Sequence, residues 1–167
     1  MNLNNKIANL LKEHKEGGEK FFNALDDMIR RDSSILNIFI NFAINELLSI
    51  YDNNYIKERV LILSGKFGNA IINNYNKILL SFFDDIIIVD GGIRKTGKVE
   101  LYKNSLFTND FIFFDDSYYS GATKNTIETA LQEINPSARI IETFVVYDGS
   151  KRRIRKLHSL FRYYEKD

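Results

Sequence analysis

The chain has 167 residues, 44% hydrophobic and 27% charged, with a formal net charge of +1. That is the size and balance of one globular domain with a real core, and no global field points toward nucleic acid or a membrane surface. There is no cysteine and there are two histidines, which excludes disulfides, thiolate metal sites, cysteine nucleophiles and a histidine-rich metal centre.

The amino terminus, MNLNNKIANLLKEHK, lacks the apolar core of a signal peptide, and no segment has the uninterrupted apolar length of a membrane span. A cytoplasmic protein with no membrane partner is expected. Ile7, Leu10 and Leu11 have the spacing of a helix face, and Gly17-Gly18 interrupts them. Phe21, Phe22, Leu25, Met28 and Ile29 form a second helical stripe. Asp32-Ser33-Ser34 then offers a cap for a third helix. Residues Ile35 to Ile50 are apolar nearly all round, which predicts a buried helix ending at Asp52-Asn53-Asn54.

From there the pattern alternates. Val60 to Leu63 reads as a buried strand, Gly68 to Leu80 as a helix, and Ile86 to Val89 as a second strand closed by Asp90-Gly91-Gly92. Ile93 to Asp110 reads as a loop or hairpin. Phe111 to Phe114 gives a third strand, Gly121 to Ile134 a helix, and Ile140 to Val146 a fourth strand after the turn Asn135-Pro136-Ser137. Continuously apolar strands alternating with helices imply a parallel sheet covered on both faces. The expected organisation is a single domain over 1–167. It has a helical N-terminal part (1–59), an α/β core (60–148) and a basic C-terminal tail (149–167). In that tail Lys151 to Lys156, "KRRIRK", is read as a solvated helix face, and no nucleic-acid partner is expected.

The stretch "FIFFDDSYYSGAT" carries the chemistry. An apolar strand delivers Asp115 and Asp116 to the edge where open α/β sheets bind ligands. The short loop after them leads into a helix amino terminus, whose unpaired N–H groups and positive dipole end favour an anion. Gly121 permits close approach, and Ser120 and Thr123 add hydroxyl donors. The reading is a loop that cradles a phosphate, with the carboxylates beside it holding hydroxyls or a hydrated Mg²⁺.

A sugar phosphate fits that description, and the stretch resembles the phosphoribosyl-pyrophosphate (PRPP) motif of the type I phosphoribosyltransferases. In that motif two acids, an apolar residue and a spacer precede Thr-Thr-Gly-Gly-Thr. Asp115, Asp116, Ser120, Gly121 and Thr123 match in type, without a gap; Ser117 stands for the apolar residue and Tyr119 for a small hydroxyl residue. The resemblance implies an α/β phosphoribosyltransferase-like parallel-sheet core flanked by helices, with a helical N-terminal extension. It implies ribose hydroxyls on Asp115 and Asp116 and the 5-phosphate in Tyr119, Ser120, Gly121, Ala122 and Thr123. Tyr119 either crowds the phosphate or turns away and leaves only its amide.

The family's order also asks for a pyrophosphate loop after the first core strand, and Ser64, Gly65, Lys66, Phe67 and Gly68 stand there. It asks for a flexible catalytic loop before the acidic strand, and Arg94, Lys95 and Lys98 resemble the Arg-Lys…Lys pattern of orotate phosphoribosyltransferases, although Val99 and Glu100 replace the residues expected next. The implied reaction uses PRPP with Mg²⁺ and a base-like acceptor. The metal is held through PRPP and water near Asp115 and Asp116, and Lys95 and Lys98 are catalytic candidates.

Other readings stay open. The same fold serves equally as a non-catalytic sensor of PRPP or a nucleotide. The bland reading is a solvated strand end followed by a helix cap. A phospho-acceptor receiver fails on order, because only one clear strand follows Asp116. Asp148, Gly149, Tyr163 and Tyr164 are candidates for positioning a base. The helical N-terminal part is a lid, a partner-binding element or the surface of a homodimer.

Overall fold

In the computed structural model, which describes residues 2–14, 18–89 and 108–164, the apolar runs become the strands of one sheet. Strands β1 (Val60–Ser64), β2 (Asp85–Val89), β3 (Asp110–Tyr118), β4 (Arg139–Asp148) and β5 (Leu157–Arg162) are all parallel, in the order β2-β1-β3-β4-β5. The helices are α1 (Leu3–Glu13), α2 (Gly18–Arg31), α3 (Ser33–Ile50), α4 (Asn53–Lys57), α5 (Gly65–Phe82) and α6 (Ala122–Ile134).

Alternation along the strands fills two cores. Val60, Ile62, Phe111 and Phe113 face Ile127 and Leu131 of α6. Leu61, Leu63, Ile112, Phe114, Phe144 and Val146 face α1, α2, α3 and α5. Phe114 is the hub of the second core, edge-on to Phe39 (5.4 Å), Phe144 (5.5 Å) and Phe83 (6.2 Å). Ile7, Phe21, Leu25 and Ile29 are fully buried, so the N-terminal helices share this core. Asp32 caps α3 and pairs with Lys6 of α1. Those hydrogen bonds, with Lys6 first and Ser34 next, hold the Asp32 carboxyl down at about 2.

Several expectations change. Helix α3 is not buried all round: Ile35, Leu36, Phe39, Ile40, Ala43, Ile44 and Leu47 face the core, while Ile38, Leu48 and Ile50 are 43%, 40% and 40% exposed. At 18 residues and mean hydropathy 1.4 it is long and apolar enough to cross a membrane, contrary to the sequence reading, although one face packs on the sheet. Helix α3 ends at Ile50, just before Asp52-Asn53-Asn54 as read from the sequence, and Asp52 goes on to cap a further short helix, α4, through Tyr55 N at 2.8 Å. The basic run is not helical. Residues 151–156 form a loop, and β5 follows it where a tail was expected.

A buried carboxylate ties β5 to the rest. Glu142 of β4 accepts hydrogen bonds from Tyr51 Oη (2.8 Å) and Lys156 Nζ (3.0 Å), and its other oxygen meets His158 Nε2 (2.8 Å). Tyr51 stacks on Tyr55 at 4.6 Å, and Arg59 lies over the Tyr55 ring at 3.8 Å. This cluster stands toward the amino ends of the strands, away from the sheet's ligand edge.

Candidate functional site

Strand order locates the crevice. From β1 the chain passes outward to β2 on one side, whereas β3, β4 and β5 build the other side. The order therefore reverses between β1 and β3, and open α/β sheets bind ligands outside the carboxyl ends at that point. Strand β1 pairs with β3 from Val60↔Phe111 to Leu63↔Phe114, but β3 continues beside β4 to Tyr118↔Asp148. Asp115 and Asp116 lie in this overhang. They are inside the strand rather than past its end, because β4 keeps pairing with it.

Asp115 is buried, and its Oδ1 accepts the amide of Asp116 at 2.9 Å. Burial pushes the Asp116 carboxyl above its ordinary value, the Ser117 hydroxyl and a side-chain hydrogen bond with Asp115 pull it back, and the charge of Asp26 on α2 pushes it up again. Through Asp26, α2 reaches this part of β3.

The loop is shorter than its sequence suggests. With β3 ending at Tyr118 and α6 starting at Ala122, three residues connect them. Gly121 caps α6 with φ +79°, in the left-handed region that favours glycine. Ser120 Oγ accepts the Ala122 amide at 3.3 Å, and Thr123 sits half-buried in the first turn. The Tyr119 ring turns away from the loop. It packs on Tyr147 at 5.6 Å and so tightly on Gly149 that a Cβ there would stand 2.5 Å from Tyr119 Cε1. Tyr118, which sequence reasoning passed over, does approach the loop: a Cβ on Gly121 would overlap the Tyr118 hydroxyl.

The second loop divides. Helix α5 begins at Gly65, whose φ is +58°, so Ser64 to Gly68 spans a strand end and a first helical turn rather than a long loop. Lys66 is exposed and forms no ion pair among the described residues. Phe67 is buried against Phe39 at 5.3 Å. A Cβ on Gly68 would stand 2.9 Å from Leu63 Cβ and 3.0 Å from its carbonyl carbon. Ser64, Gly65 and Lys66 thus stand at the ligand edge, while Phe67 and Gly68 pack α5 onto β1. Arg94, Lys95 and Lys98 lie outside the described residues.

At the end of β4, Asp148 is buried and committed to structure. Its Oδ1 accepts Ser150 N (2.8 Å) and Ser150 Oγ (2.5 Å), and its Oδ2 pairs with Arg162 at 2.9 Å. Phe21 of α2 meets Tyr147 at 5.1 Å, so α2 borders this end of the sheet as well as Asp116. Among the described residues, no group of three or more His, Asp or Glu is placed to hold a metal ion by itself. The acid pair suits a metal that arrives already coordinated by a ligand's phosphates and keeps its waters.

The fold has known counterparts. A hypoxanthine phosphoribosyltransferase from Staphylococcus aureus superposes with a TM-score of 0.50 at 19% identity, over 80% of this chain and 75% of that one. A purine phosphoribosyltransferase from Pyrococcus horikoshii Ot3 also gives 0.50, at 11% identity, over 77% and 82%. No family model and no curated protein matches the sequence. The architecture is therefore the type I phosphoribosyltransferase fold, as the acidic motif led one to expect.

Proposed function

We propose that the chain binds PRPP with Mg²⁺ and transfers its phosphoribosyl group to a nitrogen of a base-like acceptor. The C1–O bond to pyrophosphate breaks, a C1–N bond forms, and the acceptor nitrogen loses its proton. One observation carries this reading: an acid pair, Asp115 buried and Asp116 half-buried, lies at the topological switch point, beside the amino terminus of α6. Asp115 and Asp116 orient the ribose hydroxyls. The amides from Tyr119 to Thr123 bind the 5-phosphate, with the Tyr119 ring turned aside. Ser64, Gly65 and Lys66 receive the pyrophosphate, and Lys95 and Lys98 neutralise it as it leaves. Mg²⁺ would enter with PRPP, near Asp115 and Asp116, and supply further charge neutralisation on the pyrophosphate.

Calorimetry of PRPP binding with and without Mg²⁺, beside pyrophosphate release across a panel of bases, tests the reading. Replacing Asp115 and Asp116 by Asn removes charged hydrogen bonds worth about 1.5–3 kcal/mol each. At a factor of ten per ~1.4 kcal/mol, pyrophosphate release falls tenfold or more. The sensor reading is favoured by Tyr118, whose hydroxyl lies against the loop glycine and narrows the cradle. A sensor binds PRPP, loses affinity in the double variant and never releases pyrophosphate. Wild-type protein that ignores PRPP sinks both readings.

A further inference from the structure

The basic run Lys151–Lys156 is a strap fixed at both ends. At the first end Ser150 is buried, bonded to Asp148 and, through Oγ, to the Arg152 carbonyl at 2.9 Å. At the other, Lys156 has φ +65°, its ammonium reaches Glu142, and its carbonyl accepts Thr143 N at 2.9 Å. Between the anchors Lys151, Arg152, Arg153 and Arg155 are exposed, and none of them forms an ion pair among the described residues.

Beside the strap's start stand two exposed aromatics. Tyr163 and Tyr164 are 49% and 37% exposed, edge-to-face at 4.8 Å. The Tyr163 amide donates to the Asp148 carbonyl at 2.9 Å, and Arg162 Nε donates to the Tyr164 carbonyl at 2.6 Å. Asp148 therefore fixes the tyrosines and the strap through one buried carboxylate, bonded to Ser150 on one side and Arg162 on the other.

We propose that the strap and the tyrosine pair form a binding surface for single-stranded nucleic acid. Cations held along a fixed path meet successive phosphates, and exposed aromatics offer a stacking platform to unpaired bases. A merely solubilising charge run needs neither two anchored ends nor adjacent tyrosines. Ile154 is the one aliphatic side chain within the strap, too little apolar surface to insert into a lipid face. The inference does not depend on the PRPP chemistry proposed above.

Fluorescence anisotropy of the full chain with a labelled twelve-nucleotide oligouridine tests it. Engagement of all four cations gives a log–log salt slope of about −3, from roughly −0.7 per neutralised phosphate. Changing Lys151, Arg152, Arg153 and Arg155 to Ala flattens the slope and weakens binding at low salt. Changing Tyr163 and Tyr164 to Ala lowers affinity about tenfold or more and leaves the slope unchanged. Circular dichroism checks that both variants fold. In the wild type, protection of Arg152, Arg153 and Arg155 from an arginine-directed reagent by the oligonucleotide gives a variant-free check. Three outcomes overturn the proposal: no salt-dependent binding, a tyrosine variant that binds like the wild type, or inorganic polyphosphate competing as well as the oligonucleotide. Uridine monophosphate binding as tightly as the oligonucleotide would reduce the surface to a mononucleotide site and also overturn it.

Discussion

Gly121 answers to two constraints at once. Its left-handed backbone disfavours any side chain by roughly 1–2 kcal/mol, and the Tyr118 hydroxyl occupies the place of a Cβ. Gly121→Ala should therefore lower stability in urea unfolding by more than the backbone term alone. In a Tyr118→Ala background the overlap disappears while the backbone term stays, so the substitution should cost less there. Equal costs in both backgrounds would show that Tyr118 does not press on this glycine. Asp116 gives a second test. Its carboxyl is raised above the ordinary 3.8 mainly by burial. The folded state then binds its proton more tightly than the unfolded state, so the contribution is fully present below 3.8 and is lost as pH rises through the folded value. Asp116→Asn should flatten the fall in stability on the rising side of 3.8, seen by urea unfolding at a series of pH values. Superimposable profiles would refute the raised carboxyl. The acids and the loop glycine were legible in the sequence because their residue types announce them. Tyr118 was not, since nothing local says which of two adjacent tyrosines turns toward the loop.

Among the elements, α5 on β1 and β5 on β4 show opposite degrees of legibility. The apolar run of β1 declared itself, and Gly68 is explained by the close approach it allows. An Ala there would gain about 0.5–1 kcal/mol in helix propensity. It would also meet the Leu63 carbonyl carbon at 3.0 Å, and backbone cannot swing aside as a flexible side chain can. Overpacking at about 1–3 kcal/mol should win, so Gly68→Ala is expected to be net destabilising in thermal or urea melts. By contrast, β5 carries His158, Ser159 and Arg162 among its apolar residues and is only half-buried along its length. Its place is set by partners distant in sequence, His158 to Glu142 and Arg162 to Asp148, which no local pattern reveals. The polar end of β3 was missed for a related reason: β4, not propensity, carries it to Tyr118. Glu142→Gln weakens the charged hydrogen bonds to Lys156 and His158, at about 1.5–3 kcal/mol for each one lost. Hydrogen exchange should then show β5 amides opening before those of β1. Unchanged β5 protection would mean that the cluster does not hold the strand.

For the whole molecule, a parallel sheet covered on both faces was readable because its central strands are apolar without alternation. The docking of the N-terminal helices was not, because their stripes say that a face is buried without saying against what. Phe21 on Tyr147 and the charge of Asp26 at Asp116 bring α2 to the edge that carries the acid pair. A chain lacking residues 1–31 should therefore expose apolar core and lose PRPP binding together. A truncated chain that stays soluble and binds PRPP unchanged would make these helices dispensable.

The strand order also bears on how the chain is made. Strand β1 lies inside the sheet between β2 and β3, yet β3, its neighbour on one side, begins at Asp110, 21 positions after β2 ends at Val89. A ribosome adding about 5–20 residues per second leaves that edge open for roughly 1–4 s after β2 has been synthesised. Throughout that interval Val60 to Leu63 presents a bare row of backbone donors and acceptors on an uncharged, β-prone segment, the kind of surface that recruits other nascent chains. A chain stopped at residue 109 should therefore aggregate where the full chain stays soluble. Slower decoding between Val89 and Asp110 should lower the soluble yield without altering the stability of the molecules that finish.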